Sequence, residues 1–253
     1  MAKARQEMAV QGENPMVLTE RPSFLPTEAK GRGSEEVTFN DIVVPRLSII
    51  QSLSPQRSKN KEEYIPGAEE GMFFNTVTKK LYSGDQGVYF VPVYFRPEWV
   101  LWKKRTEGGG FIGAYSSVGE GQHALATQSN REAMELLDTA QHFCLVLDPA
   151  STIDAPVVEE VVISMAKSQL KASRNLNSLA KLVGGDRFSR AYRLSTVQVN
   201  GPKGDYYNWK IEPTGFPPEA VYRRAESMYE SVISGKRTID RAADDTVAHD
   251  NEI

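Results

Sequence analysis

Cysteine is almost absent from this chain: Cys144 is the only one among 253 residues. A single thiol excludes an internal disulfide. Its place in the apolar run His142-Phe143-Cys144-Leu145-Val146-Leu147 predicts a small buried hydrophobe rather than a redox centre. Long apolar runs are missing too. None approaches the ~18 residues that a spanning helix needs, so no membrane association is expected. Met1 to Val10 carries basic residues with no apolar stretch behind them, which predicts no secretory signal and a cytoplasmic location. Histidine is scarce, and His123, His142 and His249 stand at no metal-ligand spacing. No glycine loop runs into Lys-Ser/Thr, and no Gly-x-Ser-x-Gly elbow occurs. Gly108-Gly109-Gly110 lacks the strand–loop–helix setting that phosphate cradling requires and reads as a flexible loop. Glu159-Glu160 is the one tight carboxylate pair in the predicted strands. Strand alternation sends the two to opposite faces, which argues against a shared metal. A non-enzymatic chain without a cofactor or metal is expected.

What is present is an uneven distribution of charge. The formal net charge is −3. Residues 240–253 hold Asp240, Asp244, Asp245, Asp250 and Glu252 against Arg241, a local −4. The first 41 residues hold five basic side chains (Lys3, Arg5, Arg21, Lys30 and Arg32) against seven acids, a local −2. The body between them therefore carries +3. Whole-chain charge hides a mildly basic domain between acidic ends.

Residues 1–37 mix Gly, Pro, Glu and Arg without an apolar period and read as a flexible segment. Phe39 to Leu53 suits a first strand or helix, interrupted at Pro45. Strand signals then follow at Gly71–Thr78, Val88–Phe95, Trp99–Lys104, Phe111–Tyr115, Phe143–Leu147 and Val157–Ser164. Asn130 to Leu137 suits a short helix with Asn130 as N-cap. Ala191–Val199 and Tyr206–Ile211 form a hairpin pattern around Asn200-Gly201-Pro202-Lys203-Gly204. Two longer helices are predicted. The first spans about Ser164 to Val183, with Ala172, Leu176, Leu179 and Val183 on one stripe. The second runs from Pro218 to Ser234, with Val221, Ala225, Met228 and Val232 as its stripe and Gly235 as its stop. The fold class is β-rich α+β. An oligonucleotide-binding (OB)-like barrel with an added basic amphipathic helix, a C-terminal helix and flexible termini fits the element count, as do other β-rich α+β folds. The predicted organisation is a flexible segment over 1–37, a single OB-like domain over 38–239 and an acidic flexible tail over 240–253.

Binding candidates come from cations interleaved with rings, because single-strand binders track phosphates with Lys and Arg and stack bases on aromatic faces. The segment Tyr94 to Arg105 is dense in both and offers Tyr94, Arg96, Trp99, Trp102, Lys103 and Lys104. If 99–104 is a strand, Trp99 and Trp102 face opposite ways, so one is core and the other available. In Tyr206–Ile211 the side chains of Tyr207, Trp209 and Ile211 make the apolar face, leaving Tyr206, Asn208 and Lys210 outward. Arg190 and Tyr192 share a face on the preceding strand. On the first long helix Lys167, Lys171, Arg174 and Lys181 lie opposite the apolar stripe with no acid among them, a pattern that invites phosphate contact.

The run Pro66 to Thr78 with Gly87 to Val93 resembles a family of bacteriophage single-stranded-DNA-binding proteins. So does Ile163-Ser164-Met165-Ala166-Lys167-Ser168-Gln169-Leu170-Lys171-Ala172-Ser173-Arg174-Asn175-Leu176-Asn177-Ser178-Leu179, and the strand of Trp209 and the closing helix continue the likeness over roughly 42–236. The resemblance implies an OB-type barrel that coats exposed strands in phage replication and recombination. It also implies a mobile acidic tail that recruits replication or recombination proteins and competes with DNA for the groove. The tail here matches in charge but ends Asn251-Glu252-Ile253 rather than in an aromatic residue.

The expected activity is sequence-independent single-stranded-DNA binding. One alternative is a phage virion structural or assembly protein, whose aromatic β domain packs against copies of itself. The other is a metal-dependent nuclease or recombination enzyme that assembles carboxylates from distant positions. The sequence leaves homo-oligomerisation open.

Overall fold

The computed structural model describes residues 32–37, 44–149, 151–154, 156–202 and 204–235. The chain divides into two units, Met1–Val37 and Thr38–Ile253. In the first, the Gly33 N–H donates to Glu35 Oε2 at 2.8 Å within a short turn. The predicted flexible stretch up to residue 31 and the acidic tail over 240–253 lie outside the described residues.

Among its described residues the second unit is β-rich, with two antiparallel sheets and three helices. The strands β1 (Leu47–Ile49), β2 (Phe73–Asn75) and β3 (Leu81–Tyr82) form a small three-stranded sheet in that order. The larger sheet is built from β4 (Val88–Lys103), β5 (Phe111–Tyr115), β6 (Met134–Leu147), β7 (Val158–Ala166), β8 (Ala191–Gly201) and β9 (Gly204–Gly215). Its path runs β7-β6-β4-β8-β9, with β5 added to the far end of β4. The ladders among the described residues form an open path and close no barrel. The helices among the described residues are α1 (Val118–Thr127), α2 (Leu170–Val183) and α3 (Glu219–Ile233).

β4 joins the two strands predicted at 88–95 and 99–104, despite Pro92 and Pro97. Between its pairings with β8 at Val88–Phe90 and with β5 at Trp99–Trp102, β4 has a ladder only on the β6 side. A residue without an N–H costs little where one strand edge is unpaired. Register with β6 shifts at Pro92/Tyr94, a bulge that absorbs the local mismatch.

Both faces of the large sheet are covered, which is why its strands carry near-continuous apolar runs. One face packs Phe90, Ala140, Cys144, Val146, Val161, Ile163, Met165, Tyr192, Leu194 and Trp209 against Leu176 of α2 and against Leu47, Phe73 and Tyr82 of the small sheet. The other packs Val91, Val93, Phe143, Leu145 and Val162 against Val221, Ala225, Met228 and Val232 of α3. The predicted α3 stripe is thus the buried one, each large side chain contributing about 1.5–3 kcal/mol. Glu159 and Glu160 do leave β7 on opposite faces. Glu159 accepts from Lys80 Nζ at 2.9 Å, Tyr82 Oη at 2.9 Å and Asn75 Nδ2 at 3.1 Å on the small sheet, while Glu160 pairs with Arg224 of α3 at 2.7 Å.

Three elements depart from the sequence reading. Asn130–Leu137 is no helix: Arg131–Ala133 makes a single 3-10 turn without a side-chain cap, and β6 begins at Met134. Pairing of Met134–Leu137 with Val100–Lys103 overrides the local helix preference. Instead, a helix forms at α1, where the Ser117 hydroxyl accepts from the Glu120 N–H at 3.3 Å and Glu120 Oε2 accepts from the Ser116 N–H at 3.1 Å. Finally, α2 starts at Leu170 rather than near Ser164, because β7 continues to Ala166 and a 3-10 turn, Lys167–Gln169, follows it.

Candidate nucleic-acid interface

The β4 candidates divide by burial. Trp102 is only 8 % exposed and stands edge-on to Phe111 with ring centroids 5.6 Å apart, so it is core and offers no face to a base. Trp99 is half-buried beneath α1: a Cβ on Gly121 would sit 3.4 Å from its Cβ and 2.8 Å from Leu136 Cδ1. The available tryptophan of the pair is therefore Trp99. Tyr94 packs at 6.1 Å on both Phe143 and Tyr229, on the α3 face, and Arg96 lies over the Tyr94 and Phe143 rings at 5.8 and 5.4 Å. These two are engaged with the α3 face and stand apart from the other candidates. At the strand's end, Lys103 is half-buried and Lys104 exposed. Their N–H groups donate to Gly110 O at 2.8 Å and Ala133 O at 2.7 Å, so the glycine loop and the 3-10 turn clamp this end.

The predicted basic helix face is real over three of its four residues. Lys171, Arg174 and Lys181 are exposed on α2, and among the described residues no carboxylate lies within ion-pair distance of any of them. Lys167 differs. It belongs to the preceding turn, with a left-handed φ of 50°, and its ammonium donates to Glu135 Oε2 at 3.2 Å. Glu135 is the β6 ladder partner of Trp102, so this contact ties the turn to β6. The same turn meets β9, where Asn208 Nδ2 donates to Ser168 O at 3.2 Å.

On β9 the predicted division of faces holds. Trp209 and Ile211 are buried and Tyr207 is partly so, while Tyr206, Asn208 and Lys210 point away from that core. Tyr206 is half-buried beside the hairpin, its ring 3.0 Å from where a Gly201 Cβ would stand. Lys210 is paired with Glu212 at 2.9 Å, which reduces its value for a phosphate. Arg190 lies elsewhere, its guanidinium 4.8 Å from the centroid of the exposed Phe216 ring.

The Lys167–Gln169 turn is thus tied to β6 through Lys167–Glu135 and to β9 through Ser168–Asn208, and Lys171 and Arg174 follow it on α2. Tyr94, Arg96 and Arg190 are not brought there.

Sequence reasoning missed a polar cluster beneath α2. His142, fully buried on β6, shares its Nδ1 with Arg187 Nη2 at 3.0 Å and its Nε2 with Ser173 Oγ at 2.8 Å. A guanidinium only donates, so Nδ1 accepts and the Nε2–H donates to Ser173. Burial, reinforced by the Arg187 charge, holds the imidazole pKa down to about 3, and burial pushes the neighbouring Cys144 thiol up to about 12. The ring is neutral and the thiol inert. The signal available in sequence was a helix serine, Ser173, inside an apolar stripe. Among the described residues, no group of three or more His, Cys, Asp or Glu side chains is placed to hold a metal ion, and no helix is long and apolar enough to cross a membrane.

A β-rich α+β domain with one helix whose cations are paired and one whose cations are not is the class this architecture defines. Comparison with known proteins adds the family. A model of the Pam3 phage gp34-like proteins matches residues 11–238, and the chain belongs to that family. No curated protein and no solved structure matches it.

Proposed function

We propose that this chain is a phage single-stranded-DNA-binding protein that acts without sequence preference in the host cytoplasm. The observation that carries the reading is the run of cations around the Lys167–Gln169 turn and along α2. Lys171, Arg174 and Lys181 are unpaired, whereas on α3 Arg223 pairs with Glu219 and Glu226, and Arg224 with Glu160. A solvated helix mixes its charges as α3 does; a one-sided unpaired stripe suits a polyanion. Trp99 and Tyr206 are the ring candidates, and base stacking on such rings is worth about 1–3 kcal/mol per base. The OB-like reading of the β domain belongs to the same proposal. An antiparallel path with a small sheet laid across one face would serve as an open relative of that barrel. The acidic tail is then the segment that recruits replication or recombination proteins.

Titration of fluorescent oligo-dT with purified protein at two salt concentrations tests the proposal. Binding that weakens steeply with salt is expected; no binding at low salt overturns it.

A second reading, a virion or assembly protein, draws on exposed apolar side chains: Leu182 at the end of α2 is 83 % exposed and Phe216 is 72 % exposed. Detection in purified particles, together with absent strand affinity, would favour it.

A further inference from the structure

We infer that Arg187, Arg190 and Tyr192 form a pocket for one phosphate-type oxyanion, separate from the cation track on α2. Local geometry brings the three together. Arg187–Ser189 is a 3-10 turn closed by Arg190, and in such a turn side chains at i and i+3 lie above one another. Arg190 and Tyr192, two apart where the chain enters β8, share a strand face. Their surroundings agree. Arg187 lies over the Phe95 ring at 5.7 Å and Tyr192 against Phe90 at 5.8 Å, both on the α2 side of the sheet.

Three polar atoms in this cluster are buried without a hydrogen-bond partner in the protein: Arg187 Nε, Arg190 Nε and Tyr192 Oη. The Tyr192 side chain is 0 % exposed. Arg187 spends one nitrogen on His142, and among the described residues neither arginine has a carboxylate within ion-pair distance. The nearest acid in sequence, Asp186, accepts instead from the Tyr222 hydroxyl at 2.6 Å. Both guanidiniums bear electrostatically on the Tyr192 hydroxyl, its pKa raised by burial and pulled back by the two cations. Buried donors of one sign with no acceptor are costly, and nearly all such groups in folded proteins find a partner. A tetrahedral oxyanion satisfies all three: it accepts from two Nε–H groups and from the phenol, and it neutralises paired positive charge.

The cluster reaches the surface at Arg190. Arg190 is only half-buried, and its guanidinium lies 4.8 Å from the ring of Phe216, which is 72 % exposed. An anchored phosphate with a ring at its rim, free to stack, suits a nucleotide unit better than a bare ion. The single-stranded-DNA reading is needed only for the source of that phosphate, a chain phosphodiester rather than a free mononucleotide.

The test uses the full-length protein and its Tyr192→Phe and Arg190→Gln variants. Thermal unfolding is followed with inorganic phosphate against chloride at equal ionic strength, and binding of phosphate, thymidine monophosphate and oligo-dT is measured by calorimetry. Phosphate is expected to raise the wild-type Tm beyond chloride, and each variant to lose about tenfold in phosphate affinity, the scale of one lost hydrogen bond to a charged group. Tyr192→Phe keeps the ring's shape, so its unliganded Tm should equal or exceed that of wild type. Phosphate binding that depends on Tyr192 and Arg190 without oligo-dT binding would sink the DNA reading and leave the pocket standing, with a mononucleotide as its ligand. No phosphate effect beyond chloride, or an equal effect in wild type and both variants, overturns the pocket. Unimpaired oligo-dT binding alongside that outcome would leave the DNA reading intact.

Discussion

At the scale of single residues, two polar side chains connect stability to binding. His142 sits neutral between Arg187 and Ser173, its pKa held near 3 by burial and the adjacent guanidinium. In the unfolded chain the imidazole titrates near its ordinary 6.5, so below that pH the unfolded state takes a proton that the native state refuses. Stability from this site is complete above pH 6.5 and falls as pH drops toward 3, at up to about 1.4 kcal/mol per pH unit. Urea unfolding at pH 7 and pH 5 should show this fall, and His142→Phe should flatten it while costing about 1–3 kcal/mol at pH 7 by stranding its two partners. Equal pH slopes for wild type and variant would contradict the assignment. Lys167 is the other case. Its left-handed φ of 50° costs an L-residue about 1–2 kcal/mol, while its half-exposed pair with Glu135 returns no more than about 1. Lys167→Gly relieves that strain as it removes the side chain, so Tm should change little. Oligo-dT affinity should drop in the same variant, since a cation where β6, α2 and β9 meet is gone. Loss of stability without loss of affinity would make the residue merely structural.

Among the elements, the two long helices make a natural control for each other. α2 presents Lys171, Arg174 and Lys181 unpaired, and α3 presents Arg223 and Arg224 in ion pairs. Replacing the three α2 cations with glutamine should weaken oligo-dT binding and flatten its log–log salt dependence by about 2, since each single-strand phosphate contact contributes about 0.7. Arg223→Gln on α3 should change neither. An unchanged salt slope in the α2 variant would move the interface elsewhere. These helices also show what the sequence disclosed. The stripe Val221-Ala225-Met228-Val232 was legible because an amphipathic helix repeats its burial every turn, and Trp209 was legible because a half-covered strand alternates. The start of α2 was hidden: Val161 to Ala166 is buried on both faces, and a continuous apolar run reads equally as strand or helix. Helix α1 was overlooked although Ser117-x-x-Glu120 is a capping signal, since its apolar face is short and only Gly121 is buried. The Arg187–Arg190–Tyr192 cluster depends on a turn whose geometry no periodicity announces.

On the scale of the whole molecule, the distribution of charge matters more than its sum. The net −3 combines a body of +3 with a −4 tail over 240–253 and an N-terminal −2. Such a body attracts a polyanion only modestly, so the unpaired cations must act locally, and any tethered acid competes with the ligand for them. A short flexible tether holds a group at an effective concentration in the millimolar range. Deleting Asp240 to Ile253 should then raise oligo-dT affinity several-fold at low salt. The difference should shrink as ionic strength rises, because the screening length falls from about 30 Å at 0.01 M to about 10 Å at 0.1 M. Replacing Asp240, Asp244, Asp245, Asp250 and Glu252 with their amides should reproduce the deletion while keeping the tail's length. If the amide variant binds as wild type does while the deletion binds more tightly, the tail acts by bulk rather than charge. If neither differs from wild type at low salt, the tail does not reach the cations of α2 at all, and its acids serve a protein partner instead.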